Sequence, residues 1–399
     1  MIAHTPFRVA NKQAGLSLIE LMVGLAIGAL LTLGLLQIFS ASRVTLQMQE
    51  GLSRVQENGR FATQFLQRQL RMVGYMGCGA DTGRIAQTSF VNHLALFDGS
   101  VPGGSRYRFQ RPIEAFTAGA ATPPAELAAV PFVANSDVLI LRVFGDESVP
   151  VISIARDAMN LDIDIASSAP SFLPPSGSTT LFALQNCRSA DVFAGTLTGT
   201  TLNVRGNVSP NVYLDPTVTA CGSSACPWDF RISNATLNSK PLIGGPSLLN
   251  AEVHRAEYLA LYVRNRPGTS IPGLYLTRFK RDGTALADAE ELVEGVENMQ
   301  LRFGYDTSAG ANGDGTIDEY RTAAAVAAGA ANPSALDANW RRVLSVRVAL
   351  LIRSPDRAAV GTETRQFSLL GVTVTPPTDG SIRQVYETTI ALRNRLFNT

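Results

Sequence analysis

The feature that most constrains how this chain can fold is an apolar run near the amino terminus that contains one carboxylate. Residues 16–39 read LSLIELMVGLAIGALLTLGLLQIF, and Glu20 is the single charged side chain among them. As an α-helix the run is about 36 Å long, enough to cross a bilayer core of about 30 Å. An ionised carboxylate in such a span costs about 2.5–3.5 kcal/mol, so Glu20 needs a polar partner. The sequence therefore predicts one membrane-spanning helix over about residues 16–39.

The position of the small residue before this run separates it from an ordinary secretory signal. A secretory signal places its cleavage site after the apolar core, whereas Gly15 follows a short basic segment and precedes the core. Cleavage after Gly15 would keep the helix and free an amine at Leu16 to partner Glu20. Two alternatives are a plain signal anchor with an incidental glutamate and cleavage near residues 40–42, which would need an apolar region longer than the usual 7–15 residues or so.

This pattern resembles the class III signal of type IV pilins and of type II secretion pseudopilins: a short basic leader, a glycine at the cut and a glutamate fifth in the mature chain. The resemblance implies that a membrane prepilin peptidase cleaves after Gly15 and methylates the amine of Leu16. It also implies that Glu20 sets subunit register by meeting the amino terminus of a neighbour. Leu16 departs from the family's common phenylalanine.

The helical pattern continues beyond the apolar run. Apolar side chains recur at three- and four-residue steps, which predicts an amphipathic helix packed on a head domain; they are Val44, Met48, Leu52, Val55, Phe65, Leu66, Leu70 and Val73. The steps are too irregular for sustained heptads, which disfavours a coiled coil. Glycines from Gly74 onward mark the end of the helix, so residues 1–15 form the leader and residues 16–77 one long helix.

The rest of the chain is rich in β-branched and alternating segments, which predicts strands. The predicted strands are 137–144, 151–155, 179–184, 258–263, 273–279, 299–305, 343–352, 367–374 and 385–392. Stretches rich in Ala, Pro or Gly at 115–131 and 170–178 are predicted as insertion loops. The fold class is α+β and pilin-like, a long amino-terminal helix followed by a large antiparallel β-rich head, residues 78–399. Two sub-domains, or one sheet with large insertions, both fit this length.

Four cysteines form an even set in a head expected to face an oxidising compartment, which predicts structural disulfides. Cys221 and Cys226 flank a short flexible segment that could close a local bridge, leaving Cys78 to pair with Cys187. All three connectivities remain open. A zinc site is the alternative, but no histidine lies near the cysteines and the C-x₂-C spacing is missing.

An acidic, glycine-rich segment at residues 306–320 is a candidate calcium loop. Its oxygen ligands would be those that calcium prefers, and the candidates are Asp306, Asn312, Asp314, Asp318 and Glu319. Aligned on an EF-hand loop with Gly315 at the sixth position, the match fails at both ends, although Asp306 could reach in from the preceding strand. The alternative is a solvated turn held by Asx hydrogen bonds.

Charge and motifs exclude several functions. The full chain has 34 basic and 33 acidic residues, and the leader holds two of the basic ones, so the mature chain carries 32 and 33. This balance leaves no electrostatic footprint for nucleic acid. No nucleophile elbow, phosphate-binding loop or dinucleotide motif occurs, and the chain is predicted not to be an enzyme. An anchored envelope enzyme would need a constellation that the sequence does not display.

Three further segments resemble PilW, the large minor pilin of type IV pili related to J-type pseudopilins: residues 71–78, 292–306 and 388–395. Residues 292–306 are interpreted as a short acidic helix or turn that runs into a strand ending at Asp306. The resemblance implies a tip or priming complex that starts pilus assembly and supports adhesin presentation, twitching motility and attachment. Its implied partners are other minor pilins, the major pilin, the prepilin peptidase, the inner-membrane assembly platform and a tip adhesin. The alternative is a pseudopilin at the tip of a type II secretion pseudopilus.

Overall fold

The computed structural model describes residues 17–76, 79–80, 90–92, 94, 108–124, 127–156, 160–166, 177, 179–185, 190–205, 251–279, 289–309, 313–357 and 365–395. The described part begins with one long helix, α1 (Leu18–Met72), of 55 residues. At 1.5 Å per residue this helix is about 80 Å long. It ends where Val73 takes an extended conformation and Gly74 a φ of +75°. A positive φ favours glycine, so Gly74 stops the helix. The helix therefore ends five residues before the predicted boundary at residue 77, and Tyr75–Met76 forms a strand instead.

Helix α1 has two parts that differ in what surrounds them. From Leu18 to Glu50 nearly every side chain is exposed. From Gly51 onward one face is buried, at Gly51, Val55, Gly59, Ala62, Leu66 and Leu70. The amphipathic pattern thus correctly marks the packed part from Val55. Met48 is 43% exposed because it precedes the packed part, and Leu52 is 40% exposed because it lies off the buried face that begins at Gly51.

The head is built mainly from two antiparallel sheets. The strands are β1 (Tyr75–Met76), β2 (Gly79–Ala80), β3 (Phe90–Asn92), β4 (Ile113–Thr117), β5 (Asp137–Arg156), β6 (Asn160–Ile165), β7 (Thr179–Gln185), β8 (Ala190–Thr198), β9 (Thr201–Arg205), β10 (Glu252–Asn265), β11 (Pro272–Arg278), β12 (Glu290–Glu294), β13 (Val296–Tyr305), β14 (Glu319–Arg321), β15 (Val343–Arg353), β16 (Phe367–Leu369), β17 (Val372–Val374) and β18 (Arg383–Ala391). The described part of the head also contains two short helices, α2 (Ala323–Ala327) and α3 (Pro333–Arg341), and a 3₁₀ turn (Arg393–Arg395).

The larger sheet has ten strands in the order β12-β11-β10-β7-β8-β9-β6-β5-β4, with β3 added in parallel to β8 and a further pairing of β10 with β5. The smaller sheet has the order β14-β13-β15-β18. Two-stranded ladders join β1 to β2 and β16 to β17. A long amino-terminal helix followed by a large antiparallel β-rich region confirms the predicted α+β class.

One hydrophobic core lies between α1 and both sheets. It joins Val55 and Leu66 of α1 to Leu141 of β5, Leu301 of β13 and Val348 of β15. Burying aliphatic side chains of this size stabilises a fold by about 1.5–3 kcal/mol each. The packed half of α1 is therefore part of the head's interior and fixes how the two sheets sit against the helix.

The two sheets also meet where side chains accept hydrogen bonds from the part of β13 that β14 does not pair with. β14 pairs only with the last residues of β13. N–H groups earlier in β13 instead donate to side chains at and just before the start of β5. The Met299 N–H donates to Ser136 Oγ at 3.1 Å, and the Leu301 N–H donates to Asp137 Oδ2 at 2.7 Å. Burial raises the pKa of the Asp137 carboxyl, although the hydrogen bonds from Thr117 and Leu301 act against that rise.

Three strand predictions and one loop prediction need correction. Segments 137–144 and 151–155 are one strand, β5, because pairing with β10 keeps the intervening residues extended, with a bulge opposite His254 and Ala256. Segment 367–374 is a hairpin, β16 and β17. The predicted insertion loop at 115–131 contains most of β4, which pairs with β5. Of the other predicted insertion loop, 170–178, only residue 177 is described.

Candidate assembly site

The structure places Glu20 in the first turn of α1, where it caps its own helix. Glu20 Oε2 accepts hydrogen bonds from the Ser17 N–H at 3.0 Å and the Ser17 hydroxyl at 3.1 Å, and Ser17 Oγ accepts from the Glu20 N–H at 3.3 Å. This reciprocal capping box satisfies backbone donors that a helix start leaves open. Glu20 thus has a partner within its own chain, before any neighbouring subunit is considered.

Sequence interpretation missed Ser17, although the signal was present. A serine followed three residues later by glutamate at the start of an apolar run is the signature of a capping box. Gly15 and Leu16, the predicted cleavage and methylation residues, lie outside the described residues. Their roles stay predictions, as does the role of Glu20 in subunit register.

The exposed part of α1 has the length and composition of a membrane span. Among the described residues, α1 is the one helix that meets these criteria, and its most apolar stretch is not buried against the head. Leu18, Ile19, Leu30 and Leu35 are each more than half exposed. Apolar surface on this scale is unfavourable in water, which fits insertion in a bilayer or burial against other helices.

The packed part of α1 is held to the head by contacts that a periodic sequence pattern does not reveal. A Cβ added at Gly59 would lie 2.3 Å from the Tyr386 ring of β18, so glycine allows the ring to contact the helix backbone. Asn58 Nδ2 donates to the Glu294 carbonyl at 3.0 Å. Asn394 Nδ2 donates to the carbonyls of Arg71 and Val73 at 3.1 and 3.2 Å, and so caps the carboxy end of the helix.

The candidate calcium loop begins at Asp306, directly after β13. The acidic segment at 292–306 forms a turn at Gly295 rather than a helix, and β13 ends immediately before Asp306, as predicted. Asp306 is fully buried. Its carboxylate accepts hydrogen bonds from the Ser308 hydroxyl and from the N–H groups of Ser308 and Gly315, at 3.0 and 2.7 Å for the two N–H groups.

These hydrogen bonds shape the electrostatics of the loop. Burial acts to raise the pKa of the Asp306 carboxyl, but the hydrogen bonds from Ser308, Gly315 and Asp314 outweigh burial and lower the pKa below its usual value of 3.8. A Cβ at Gly313 would lie 2.1 Å from Asp306 Oδ2, and Gly313 has a φ of +69°, so the loop requires glycine here.

The other candidate ligands are also engaged or lie outside the described residues. Asp318 Oδ2 accepts from the Thr307 N–H and hydroxyl, both at 2.7 Å, and Asp314 Oδ1 accepts from the Thr316 N–H at 2.8 Å. Asn312 lies outside the described residues, and Glu319 begins β14. Within the described ranges, no three His, Cys, Asp or Glu side chains are grouped to hold a metal ion. Calcium binding stays a prediction.

The four cysteines, Cys78, Cys187, Cys221 and Cys226, all lie outside the described residues. Described residues close to two of them in sequence lie near one another. The rings of Tyr75 and His254 are 6.1 Å apart, and His254 Nε2 is 3.0 Å from Gln185 Nε2. Tyr75 precedes Cys78 by three residues and Gln185 precedes Cys187 by two. The Cys78–Cys187 pairing stays a prediction.

A buried ion network that sequence interpretation missed joins α3 to the larger sheet. Arg108 Nη2 lies 2.9 Å and Arg111 Nη2 2.8 Å from the Asp337 carboxylate of α3. Glu114 pairs with Arg111 at 2.6 Å and with Arg142 at 2.8 Å. Such groups are usually structural, because breaking a buried pair leaves an uncompensated charge. The sequence separation between Asp337 and these arginines hides the pairing.

Two family models match the chain. The model described as Type IV Pilus-assembly protein W matches residues 260–394, from within β10 to the 3₁₀ turn. The model described as Prokaryotic N-terminal methylation motif matches residues 10–36. Comparisons with curated proteins and with solved structures found no match.

The first match contains the whole smaller sheet and the loop that begins at Asp306. The second contains Gly15, Leu16 and Glu20 together with much of the exposed helix. These matches support a role in pilus assembly, with a membrane-associated stage and contacts to other pilus components. The chain thus carries a prepilin N-methylation motif and resembles the PilW family of type IV pilus assembly proteins, which confirms the resemblance found in its sequence.

Proposed function

We propose that the chain is a minor pilin that joins other minor pilins in a tip complex and primes type IV pilus assembly. The observation that carries the proposal is the joint occurrence of the methylation motif and the PilW-like region in one chain, in which a single helix joins the two regions. An exposed apolar helix precedes residue 51, and the same helix is built into the core of the β-rich head after it. This arrangement joins a membrane anchor to a partner-binding head.

In the proposed mechanism each part has one task. The prepilin peptidase cleaves after Gly15 and methylates Leu16, and the apolar part of α1 holds the subunit in the inner membrane. On assembly, Glu20 exchanges its hydrogen bonds with Ser17 for the charged amino terminus of a neighbour. The methylated amine remains a cation, so it can pair with the carboxylate and offset the cost of burying it.

The head then makes partner-specific contacts in the periplasm and, after extension, outside the cell. The proposed partners are the major and minor pilins, the inner-membrane assembly platform and a tip adhesin. Through them the chain would support attachment and twitching motility. The proposal assigns no catalytic step, cofactor or nucleic-acid contact. Calcium, if it binds at the loop beginning at Asp306, would stabilise the loop.

The test is mass spectrometry of the full chain crosslinked in its native membrane, which identifies both the amino-terminal peptide and the neighbouring proteins. We expect an N-methylated Leu16 and crosslinks to other minor pilins. The same terminus with crosslinks to secretion components would favour the pseudopilin alternative. An uncut Met1, or a terminus near Ala41, would contradict both readings.

A Glu20→Gln variant sharpens the test. Glutamine keeps the acceptor that caps Ser17 but lacks the charge that would pair with a neighbour's amine. We expect normal cleavage and membrane insertion with at least a tenfold loss of crosslinks to other pilins. Ser17→Ala is the matched control, since it weakens the cap and retains the carboxylate. Equal crosslinking in the glutamine variant would show that Glu20 has no role in register.

A further inference from the structure

The smaller sheet ends in a long strand with an open edge. β18 runs from Arg383 to Ala391 and pairs with β15 over nine consecutive residues without a register shift. Within the described ranges no strand pairs with its other side. β18 is therefore a regular edge strand, and its second row of backbone groups faces away from the sheet.

The hydrogen bonds at the two ends of β18 show which of its residues direct their backbone groups away from β15. The Leu392 N–H donates to the Leu344 carbonyl at 2.9 Å, and the Ser354 N–H donates to the Ile382 carbonyl at 2.8 Å. In an antiparallel ladder hydrogen-bonded pairs alternate with non-bonded pairs. Even-numbered residues of β18 therefore bond to β15, and Val385, Glu387 and Thr389 direct their N–H and C=O groups outward.

Most devices that block an exposed edge are missing from β18. Natural edges are protected by prolines, bulges, short length or charged side chains, lysine above all. β18 has no proline, bulge or lysine, and its Arg383 is bound to Glu297 at 2.7 Å. One carboxylate, Glu387, stands exposed at the middle of the strand.

Glu387 disfavours pairing between two copies of this chain. The antiparallel register that pairs all nine residues of β18 with a second β18 places Glu387 directly opposite Glu387. Like charges directly opposite each other destabilise a sheet. Every other antiparallel register shortens the pairing. A strand from a different protein with a basic residue opposite Glu387 avoids the repulsion and completes the edge.

We propose that the outer edge of β18 docks a β-strand of another pilus protein, with lysine or arginine opposite Glu387. The class of partner rests on the proposed function, whereas the edge geometry does not depend on it. Backbone hydrogen bonds would supply much of the affinity and the charge pair would select the partner and its register.

The experiment places a photocrosslinking residue at Val385, Glu387 or Thr389, one at a time, in the full chain in its native cells. Strand pairing predicts that the crosslinked position in the partner moves by two residues for each two-residue step along β18. A docked loop or helix would not give this progression. Arg302, on β13 in the interior of the same sheet, is the control position and is expected to give no such series.

Proline variants then separate docking from folding. Thr389→Pro removes an outward N–H and should leave the ladder to β15 intact, since proline is tolerated where its missing donor faces solvent. We expect at least a tenfold loss of crosslinking from Val385 with little change in Tm. Thr388→Pro removes a ladder bond to Val348 and should lower the Tm. If Thr389→Pro fails to fold, Glu387→Lys provides the test, with at least a tenfold loss expected.

Four results would overturn the inference: crosslinks scattered over a partner, crosslinks to a second β18, crosslinks to another segment of the same chain, or unchanged capture by Thr389→Pro or Glu387→Lys. Failure of this inference is distinguishable from failure of the proposed function. A methylated Leu16 and crosslinks through α1, without a register series at β18, would reject the edge alone. An unprocessed amino terminus would reject the pilin function.

Discussion

At the scale of single residues, Gly59 sets how closely α1 approaches the sheet. A methyl group at this position would overlap the Tyr386 ring, which lies 2.3 Å from the site of the added Cβ. In a helix interior, alanine is more favourable than glycine by about 1 kcal/mol in free energy, but overpacking a core costs about 1–3 kcal/mol.

We therefore expect Gly59→Ala to lower the free energy of unfolding by up to about 2 kcal/mol, which is the overpacking cost less the gain in helix propensity. Denaturant unfolding of the full chain in detergent measures it. Gly34→Ala is the matched control, because nothing lies within 4 Å of the added Cβ there. A stabilised Gly59→Ala variant would show that Tyr386 moves aside at no cost.

Asp379 gives the head a predictable response to acid. Partial burial acts to raise the pKa of its carboxyl, but hydrogen bonds from Arg383 and Ser381 outweigh burial and lower the pKa to about 2. Arg353 also contacts the carboxylate, at 3.0 Å. A carboxyl with a folded-state pKa below its unfolded value of 3.8 stabilises the fold above that value and loses the contribution as the pH falls.

The expected result for Asp379→Asn is a loss of stability that is full above about pH 4 and disappears as the pH approaches about 2. The measurement is the difference in unfolding free energy between the variant and the wild-type chain across this range. A difference that stays constant with pH would mean that the carboxylate's charge contributes nothing.

At the scale of elements, the predicted disulfides would tie the helix exit to the larger sheet. Tyr75 of β1 and Gln185 of β7 both contact His254. A disulfide needs Cα atoms about 4.4–6.8 Å apart, so the predicted pairing requires Cys78 and Cys187 to lie within this distance.

Peptide mapping of the oxidised chain is expected to recover Cys78 joined to Cys187 and Cys221 joined to Cys226. Replacing both Cys78 and Cys187 with alanine should lower the free energy of unfolding by about 2–5 kcal/mol. Recovery of Cys78 joined to Cys221 or Cys226 would contradict the pairing, and a stability unaffected by the double replacement would contradict its structural role.

Elements were predictable where a local pattern determines them. α1 follows from its apolar run and from Gly74, and β15 from its β-branched residues, because these signals are local. β4 was not predicted because it overlaps an Ala/Pro-rich stretch and its extended conformation is fixed by pairing with β5. The contact of Asp337 with Arg108, separated by 229 residues, was equally invisible to sequence patterns. At the assembly site, Glu20 was predicted but the Tyr386, Asn58 and Asn394 contacts were not.

At the scale of the whole molecule, the chain divides at the point where α1 meets the head. Side chains from Leu18 to Glu50 are almost all exposed, whereas the residues from Gly51 onward contribute to the main core. Removing the exposed part should therefore leave the core complete.

A chain that begins at Glu50 is expected to be soluble without detergent and to unfold within a few degrees of the full chain. Calorimetry and size-exclusion chromatography measure these properties. A second truncation that begins at Ala62 is the comparison, since it deletes Val55 and Gly59 and should lose stability. Aggregation of the longer fragment would show that the exposed part supports the fold.

Because α1 is continuous from Leu18 to Met72, its length determines how the head is rotated relative to the apolar part of the helix. Each residue turns an α-helix by about 100° and lengthens it by about 1.5 Å. One residue inserted between Val44 and Gly51 would point the β18 edge in a different direction around the axis of α1, whereas seven would nearly restore its direction about 10 Å farther along the helix. The length of this segment therefore sets the rotation of the head about the axis of α1, relative to the exposed apolar part of the helix.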